Sequence, residues 1–341
     1  MENIGEISVE EVPTPECGRG EVLVKVRACG ICRTDMKAFN MGQRDLHLPR
    51  ILGHEIAGTV VETGAGVICV KPGDRVQVAP GLPCGSCKFC LREMHHLCDH
   101  VQVMGFHYDG GFAEYVLVPA SGVSNGVLNL IPGNLTFQEA ALTEPLACSV
   151  NMQETIGVGS GDSVVIFGAG PLGFLNTKLA RSRGAGPIIL VEVNEERLSR
   201  AKGEFDYCIN SDKKNPRAIV EDVTGGRGAE VAISCCPEPD VIRTGLSVLA
   251  KRGRFGFFSG LVGDSAIGTG DLNLIHYREL SVHGAYGCSS RHNRLALKLL
   301  ADGAVMVKDM ITREIKLEDV LEGLEAVKAM QEISIIINFD A

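Results

Sequence analysis

Four cysteines stand within fifteen residues, Cys84, Cys87, Cys90 and Cys98, in the spacing C-x2-C-x2-C-x7-C. Thiolates this close along a chain can close a tetrahedral shell around one metal ion, and zinc is the usual occupant. A disulfide framework needs an oxidising compartment, yet residues Met1 to Ile7 are acidic and polar, unlike a secretory signal. An iron–sulfur cluster would place its last cysteine three residues on and follow it with proline. Here the gap is seven and Asp99 follows. The spacing predicts a structural zinc.

The second chemical signature is Gly168-Ala169-Gly170-Pro171-Leu172-Gly173, a GxGxxG directly after an apolar run and opening a helix-like stretch. The first glycine makes the turn, the second lets a pyrophosphate approach the backbone, and the third lets helix and strand close on each other. The phosphates then lie at the positive end of the helix dipole. Glu192 ends the next strand, at the distance expected for an acid on the ribose hydroxyls. A carboxylate there repels a 2′-phosphate, which favours NAD over NADP. Arg197, one helical turn on, weakens that preference. Taken alone, a glutamate at a strand end is also a common surface residue.

The elements that must position these groups fall into two rhythms. The first 130 residues carry short β-branched runs near 21–27, 58–62, 74–79 and 112–119, separated by turn signals such as Lys71-Pro72-Gly73-Asp74. That pattern predicts a compact antiparallel barrel or sandwich. After about residue 150, strands alternate with helices. Strands fall at 164–167, 188–193, 207–209, 229–234 and 254–259, and helices at 171–183, 195–202, 216–223 and 240–249. Such alternation predicts a parallel sheet covered on both faces. Two more helices, 291–302 and 317–330, precede a final strand at 333–339 that can return to the first domain. The expected division is 1–146, 147–286 and 287–341, with the cysteine lobe at 84–98.

At 341 residues, two domains are the starting expectation. Hydrophobic residues at 45% and charged residues at 22% fit a globular protein. A formal net charge of −9 argues against nucleic acid or an anionic membrane surface as the main partner. No apolar stretch reaches bilayer-spanning length. Thirteen cysteines without a signal peptide point to a reducing compartment, the cytoplasm by default.

Two further polar clusters are Gly30-Ile31-Cys32-Arg33-Thr34-Asp35 and Gly53-His54-Glu55-Ile56-Ala57-Gly58. By spacing alone neither is a metal motif. Cys29 and Cys32 even form a C-x-x-C pair, which elsewhere suggests a redox dithiol, and a lone histidine such as His54 is more often a core residue than a ligand.

Several motifs join these clusters: Gly64, Lys71-x-Gly73-Asp74-x-Val76, Gly110-Gly111-Phe112-Ala113-Glu114-Tyr115, Glu144-Pro145-Leu146, the cysteine lobe and the glycine turn. Together they resemble the zinc-containing medium-chain dehydrogenase/reductase family, above all its polyol (sorbitol-type) and threonine dehydrogenase branch. The resemblance runs nearly end to end. It implies an α/β protein with an N-terminal GroES-like β-barrel catalytic domain and a doubly wound Rossmann coenzyme domain. It also implies two zinc ions per chain. The catalytic ion is held by Cys32, His54 and Glu144, with Cys148, one turn beyond Glu144, as the alternative third ligand. Glu55 is similar to a carboxylate that exchanges onto the metal, and Asp35 to the group that orients His54. Arg33 resembles a pyrophosphate contact, Thr34 a proton-relay hydroxyl, and Arg278, followed by Glu279, a substrate contact.

The implied reaction passes hydride between a secondary alcohol and NAD in a homodimer or homotetramer. Polyols, sugar alcohols, their phosphates, amino alcohols and threonine all stay open as substrates. A zinc-free reductase of the same superfamily and a non-enzymatic NAD- and zinc-binding protein are the rivals, and Cys32, His54 and Glu144 argue against both. The chain departs from the family pattern at three places. Lys37 stands where many relatives carry a relay histidine, residues 121–129 suggest a longer loop, and the amino terminus suggests a missing first strand.

Overall fold

The computed structural model describes residues 1–261 and 267–340. Its early elements are β1 (Val22–Gly30), α1 (Arg33–Met41), β2 (Glu55–Thr63), β3 (Arg75–Val78), β4 (Gly81–Leu82), β5 (Gln102–Val103), β6 (Tyr115–Val118), α2 (Ala120–Ser124) and β7 (Leu128–Leu130). Then come α3 (Phe137–Ala141), α4 (Thr143–Ile156), β8 (Val164–Phe167), α5 (Pro171–Ser182), β9 (Ile188–Glu192), α6 (Glu195–Arg200), β10 (Tyr207–Asn210), α7 (Pro216–Val223), β11 (Ala229–Ser234), α8 (Asp240–Val248) and β12 (Leu249–Phe257). The chain closes with α9 (Thr269–Arg278), β13 (Ser281–Gly284), α10 (Ser290–Ala301), β14 (Ile311–Ile315), α11 (Val320–Ala329) and β15 (Ser334–Asn338).

Two compact units result, Met1–Ala147 with Gly287–Ala341, and Cys148–Tyr286, the division falling within α4. In the first unit the sheet runs β14-β15-β1-β2-β3-β7, with β6 also on β1. The strand β1 is paired by β2, β6 and β15, so its V-L-V-K-V-R-A-C-G run is buried along nearly its whole length. The last strand does return to the first, Cys29 facing Ile337. The β14–β15 pair is parallel, however, so this sheet is not antiparallel throughout. Of residues 121–129, expected as a longer loop, most form α2 and the start of β7.

In the second unit the order β10-β9-β8-β11-β12-β13 is parallel throughout. Every residue of β8 and β9 is buried, as expected for strands covered on both faces. Helix starts follow local chemistry: Pro171 and Pro216 occupy first-turn positions, and Asn194, Asn215 and Ser289 cap the first amides of α6, α7 and α10. The α4 helix gave no amphipathic signal because it is buried on nearly every side, leaving no polar stripe to set the period. No helix among the described residues is long and apolar enough to cross a membrane.

Candidate active site

The β1 strand ends at Gly30, which pairs with Glu55 at the start of β2. A Cβ at Gly30 would run into the Glu55 carboxylate, so glycine makes the room in which that acid lies. Cys32 follows as the N-cap of α1, its sulfur accepting the Thr34 amide at 3.4 Å. The Thr34 hydroxyl oxygen lies 3.6 Å from the same sulfur.

Asp35 ties the two elements together. It is fully buried. Its Oδ2 accepts the Cys32 amide at 3.0 Å, completing a capping box, while its Oδ1 accepts the Gly53 amide at 3.3 Å and lies 3.0 Å from His54 Nδ1. With Nδ1–H donated to Asp35, the Nε2 lone pair is the one available to a metal. Cys32, His54 and Glu55 bring donor atoms within 4.8 Å of one another.

Electrostatics follow from burial. The Glu55 carboxyl is pushed up to about 8, first by burial and then by the charge of Glu144, with His54 opposing. Burial pulls the His54 imidazole down, but Asp35 and Cys32 outweigh it and hold the ring well above its ordinary 6.5. Burial also keeps the Cys32 thiol above 9.0 against the pull of His54.

Glu144, in the first turn of α4, is buried, and its charge reaches Glu55. Its carboxylate falls in a different donor group from Cys32 and His54, with Oε1 lying 3.7 Å from Cys288 Sγ. Cys148 follows one turn later on α4.

The cysteine lobe forms a second site. A tetrahedron with zinc–sulfur bonds of about 2.3 Å sets its sulfurs about 3.8 Å apart. Cys84 and Cys90 are separated by 3.9 Å and Cys87 and Cys90 by 3.5 Å, and all four sulfurs lie within 4.8 Å of one another. Backbone amides of Cys87, Cys84 and His100 point at the Cys84 and Cys98 sulfurs, at 3.3 to 3.4 Å, as donors to thiolate do. All four are free thiols rather than disulfides. The donor set fits a structural zinc.

In the second unit the glycine turn divides its labour. Gly168 adopts a left-handed φ of +99°, a Cβ at Gly170 would meet only open space, and a Cβ at Gly173 would strike the Gly168 carbonyl. Only the second position leaves a backbone cradle that a pyrophosphate could enter. Pro171 starts α5, and the Leu172 carbonyl accepts the Asn176 side-chain Nδ2–H at 2.8 Å. Glu192 sits beside this turn but is engaged: Oε2 accepts the Ala169 amide at 2.9 Å, and Oε1 those of Val193 and Asn194 at 2.8 and 3.1 Å. Arg197 stands 3.8 Å away.

Two family models match the chain, the alcohol dehydrogenase GroES-like domain over residues 18–127 and the zinc-binding dehydrogenase domain over 171–302. An L-threonine 3-dehydrogenase of Bacillus velezensis is 32% identical, over 97% of this chain and 94% of its own. D-xylulose reductase A of Aspergillus niger is 33% identical over 99% and 95%. The structure of 2R,3R-butanediol dehydrogenase from Bacillus subtilis superposes with a TM-score of 0.89 at 27% identity, covering 99% of this chain and 98% of that one. A Sinorhizobium meliloti 1021 protein assigned as a zinc-binding dehydrogenase and bound to NADP matches with a TM-score of 0.89 at 32% identity, over 99% and 97%. The chain belongs to the zinc-containing medium-chain dehydrogenases/reductases. It joins a GroES-like domain to a Rossmann domain and is an NAD(P)-dependent dehydrogenase with a small-molecule alcohol as substrate.

Two arginines of the dehydrogenase, expected at substrate and coenzyme, make other contacts in this structure. The Arg278 guanidinium donates to the carbonyls of Leu249 at 2.9 Å and Ser247 at 3.4 Å. That makes it a brace between α9 and the α8–β12 junction. Arg33 is exposed on α1, its Nη1 at 3.9 Å from Met330 Sδ, and Lys37 is exposed on the same helix. Gly30 heads the Cys32 cluster in the sequence, but its role against Glu55 follows only from the strand pairing. Cys288 meets Glu144 across 144 residues, and no local pattern announces that.

Proposed function

We propose that the chain is a cytoplasmic, NAD-dependent dehydrogenase of secondary alcohols in the polyol and amino-alcohol class, with one catalytic and one structural zinc and a homodimeric or homotetrameric assembly. The single observation that carries it is the Asp35 brace, which aims the Cys32 sulfur and a tautomer-fixed His54 at one point from two elements.

Cys32 and His54 would hold the catalytic ion, with Glu144 as third protein ligand and Glu55 within reach to exchange. When bound, zinc would supply a Lewis acid that makes an alcohol hydroxyl acidic near neutral pH, and the nicotinamide a hydride acceptor. The chain's own part is positional and protonic. Asp35 keeps the proton on Nδ1 of His54, so the ring stays a donor to metal through Nε2. Thr34, beside the Cys32 sulfur, places its hydroxyl to relay the proton that the alcohol loses, accepting it as its own proton passes on to solvent. Gly168, Gly170 and Gly173 let the coenzyme phosphates meet the amino end of α5, and Pro171 fixes that helix start. The buried carboxylate of Glu192 supports NAD by charge, with Arg197 beside it as the opposing influence. Cys84, Cys87, Cys90 and Cys98 would hold the second zinc, without a part in the chemistry.

Threonine is the second reading, favoured by the threonine 3-dehydrogenases among the relatives. One experiment tests both. NADH and NADPH formation is followed by absorbance across polyols, diols and L-threonine, beside a zinc count per chain and light scattering for assembly. Turnover retained in fully zinc-free protein refutes the catalytic-metal reading.

A further inference from the structure

We propose that Cys288 is a positioning residue which, with a buried chain of amides behind it, fixes where the Glu144 carboxylate lies; this rests on Glu144 serving the catalytic metal. Cys288 is 9% exposed, and its sulfur has three polar neighbours. It accepts the Asn293 side-chain amide at 3.2 Å, and it lies 3.7 Å from Glu144 Oε1 and 4.0 Å from the Glu144 backbone carbonyl. A thiol is a weak acceptor and a weak donor. With the amide proton entering from Asn293, the thiol proton is left for Glu144, whose carboxylate oxygen is the nearer of its two acceptors.

The chain continues inward. Asn293 Oδ1 accepts from Gln77 Nε2 at 3.1 Å, and Gln77 Oε1 accepts from Asn129 Nδ2 at 2.9 Å. Gln77 and Asn293 are fully buried and Asn129 is nearly so. The residues come from β3, β7 and α10, so no local motif accounts for their meeting. Every donor points the same way, from Asn129 to Gln77 to Asn293 to Cys288 to Glu144. Aligned bonds in a low-dielectric interior polarise one another, and each link holds the next in one orientation. At the far end Asn129 Oδ1 is buried without a hydrogen-bond partner, so the row is satisfied only in the direction of Glu144.

Burying three amides in an apolar barrel costs free energy that well-packed aliphatic side chains would avoid. A row of donors ending on a carboxylate is what a metal-ligating acid needs to hold one rotamer, as outer partners of metal ligands do. Upstream, Gln77 and Asn293 are pinned by backbone carbonyls of Val78 and Ser289, at 2.9 and 3.1 Å, which stops the row from rotating as a whole.

The test uses Co2+ as the probe in full-length protein, measuring affinity at the catalytic site, metal retained in the lobe, and the cobalt absorption spectrum. Cys288→Ala should weaken catalytic-site cobalt about 10- to 100-fold while the lobe metal and NADH binding stay unchanged. Cys288→Ser, whose hydroxyl can both accept from Asn293 and donate to Glu144, should recover most of that loss. If the alanine variant also loses its lobe metal and so reports only unfolding, Cys288→Val takes its place, filling the volume without the proton. Unchanged affinity in Cys288→Ala beside a weakened Glu144→Gln overturns the positioning role and leaves Glu144 as ligand. Unchanged affinity in Glu144→Gln itself overturns both. A loss of sulfur-to-cobalt charge-transfer intensity at saturation in Cys288→Ala would make the sulfur a ligand, and overturns positioning as well.

Discussion

Loading metal into the catalytic site should release protons in a number that the buried groups already dictate. In the metal-free chain, the Asp35 carboxylate holds His54 well above 6.5 against its burial, and burial keeps Cys32 a neutral thiol above 9.0. Both therefore carry a proton at pH 7 that coordination must remove. Glu55, raised to about 8 by burial and Glu144, carries a third at that pH and loses it if the incoming charge makes it ionise. The sign follows: deprotonated ligands bind, so affinity rises with pH. Two protons make the apparent affinity climb about 100-fold per pH unit, and three make it about 1000-fold, which is about 2.7 to 4.1 kcal/mol at 1.36 kcal/mol per tenfold. Calorimetry at pH 7, in buffers of different ionisation enthalpy, counts these protons directly in protein whose lobe keeps its zinc. Glu55→Gln should lower the count by one if Glu55 ionises. Release of fewer than two protons refutes the assignment of Cys32 and His54 as a protonated, metal-ready pair.

Other outcomes can be read with simpler assays. Asp35→Asn should weaken catalytic zinc and turnover about 10- to 100-fold, with the lobe zinc retained, because an amide keeps one acceptor oxygen and cannot receive both the Cys32 amide and the His54 ring. Gly173→Ala should abolish NADH binding by fluorescence titration while leaving both metals in place, since its Cβ drives α5 off the Gly168 carbonyl. Cys84→Ala should cost one zinc per chain by elemental analysis and lower the thermal midpoint, with part of the activity preserved in the folded fraction. In metal-free protein, the folded pKa of Glu55 lies above its ordinary 4.5, so its contribution is full below 4.5 and is lost as pH rises toward about 8. Glu55→Gln should accordingly raise the thermal midpoint of the metal-free form more at pH 9 than at pH 5.

What was legible in the sequence was legible because it is local. The four lobe cysteines and the glycine turn are contiguous, so spacing alone carries their geometry. The strand–helix alternation of the coenzyme unit could be read for the same reason, since fully buried strands such as β8 and β9 show as unbroken apolar runs. His54 and Asp35 are nineteen residues apart, and only family resemblance suggested that they meet. The α4 helix was missed because burial on nearly every side erases the polar stripe that marks a helix. Glu192 was placed correctly beside the turn, yet its three amide partners depend on backbone orientations that composition cannot encode. The contacts of Arg278 were not legible either, since a charged residue near a helix end can equally brace neighbouring carbonyls, and here it does. The Gln77–Asn293 link spans 216 residues and had no sequence signal at all.

The Asp35 carboxylate also couples two distant stretches of chain. Because one acid bonds both the Cys32 backbone and the His54 ring, a change that shifts the start of α1 also turns the imidazole nineteen residues away. Substitutions along α1 should therefore be felt at His54 even where they touch neither donor.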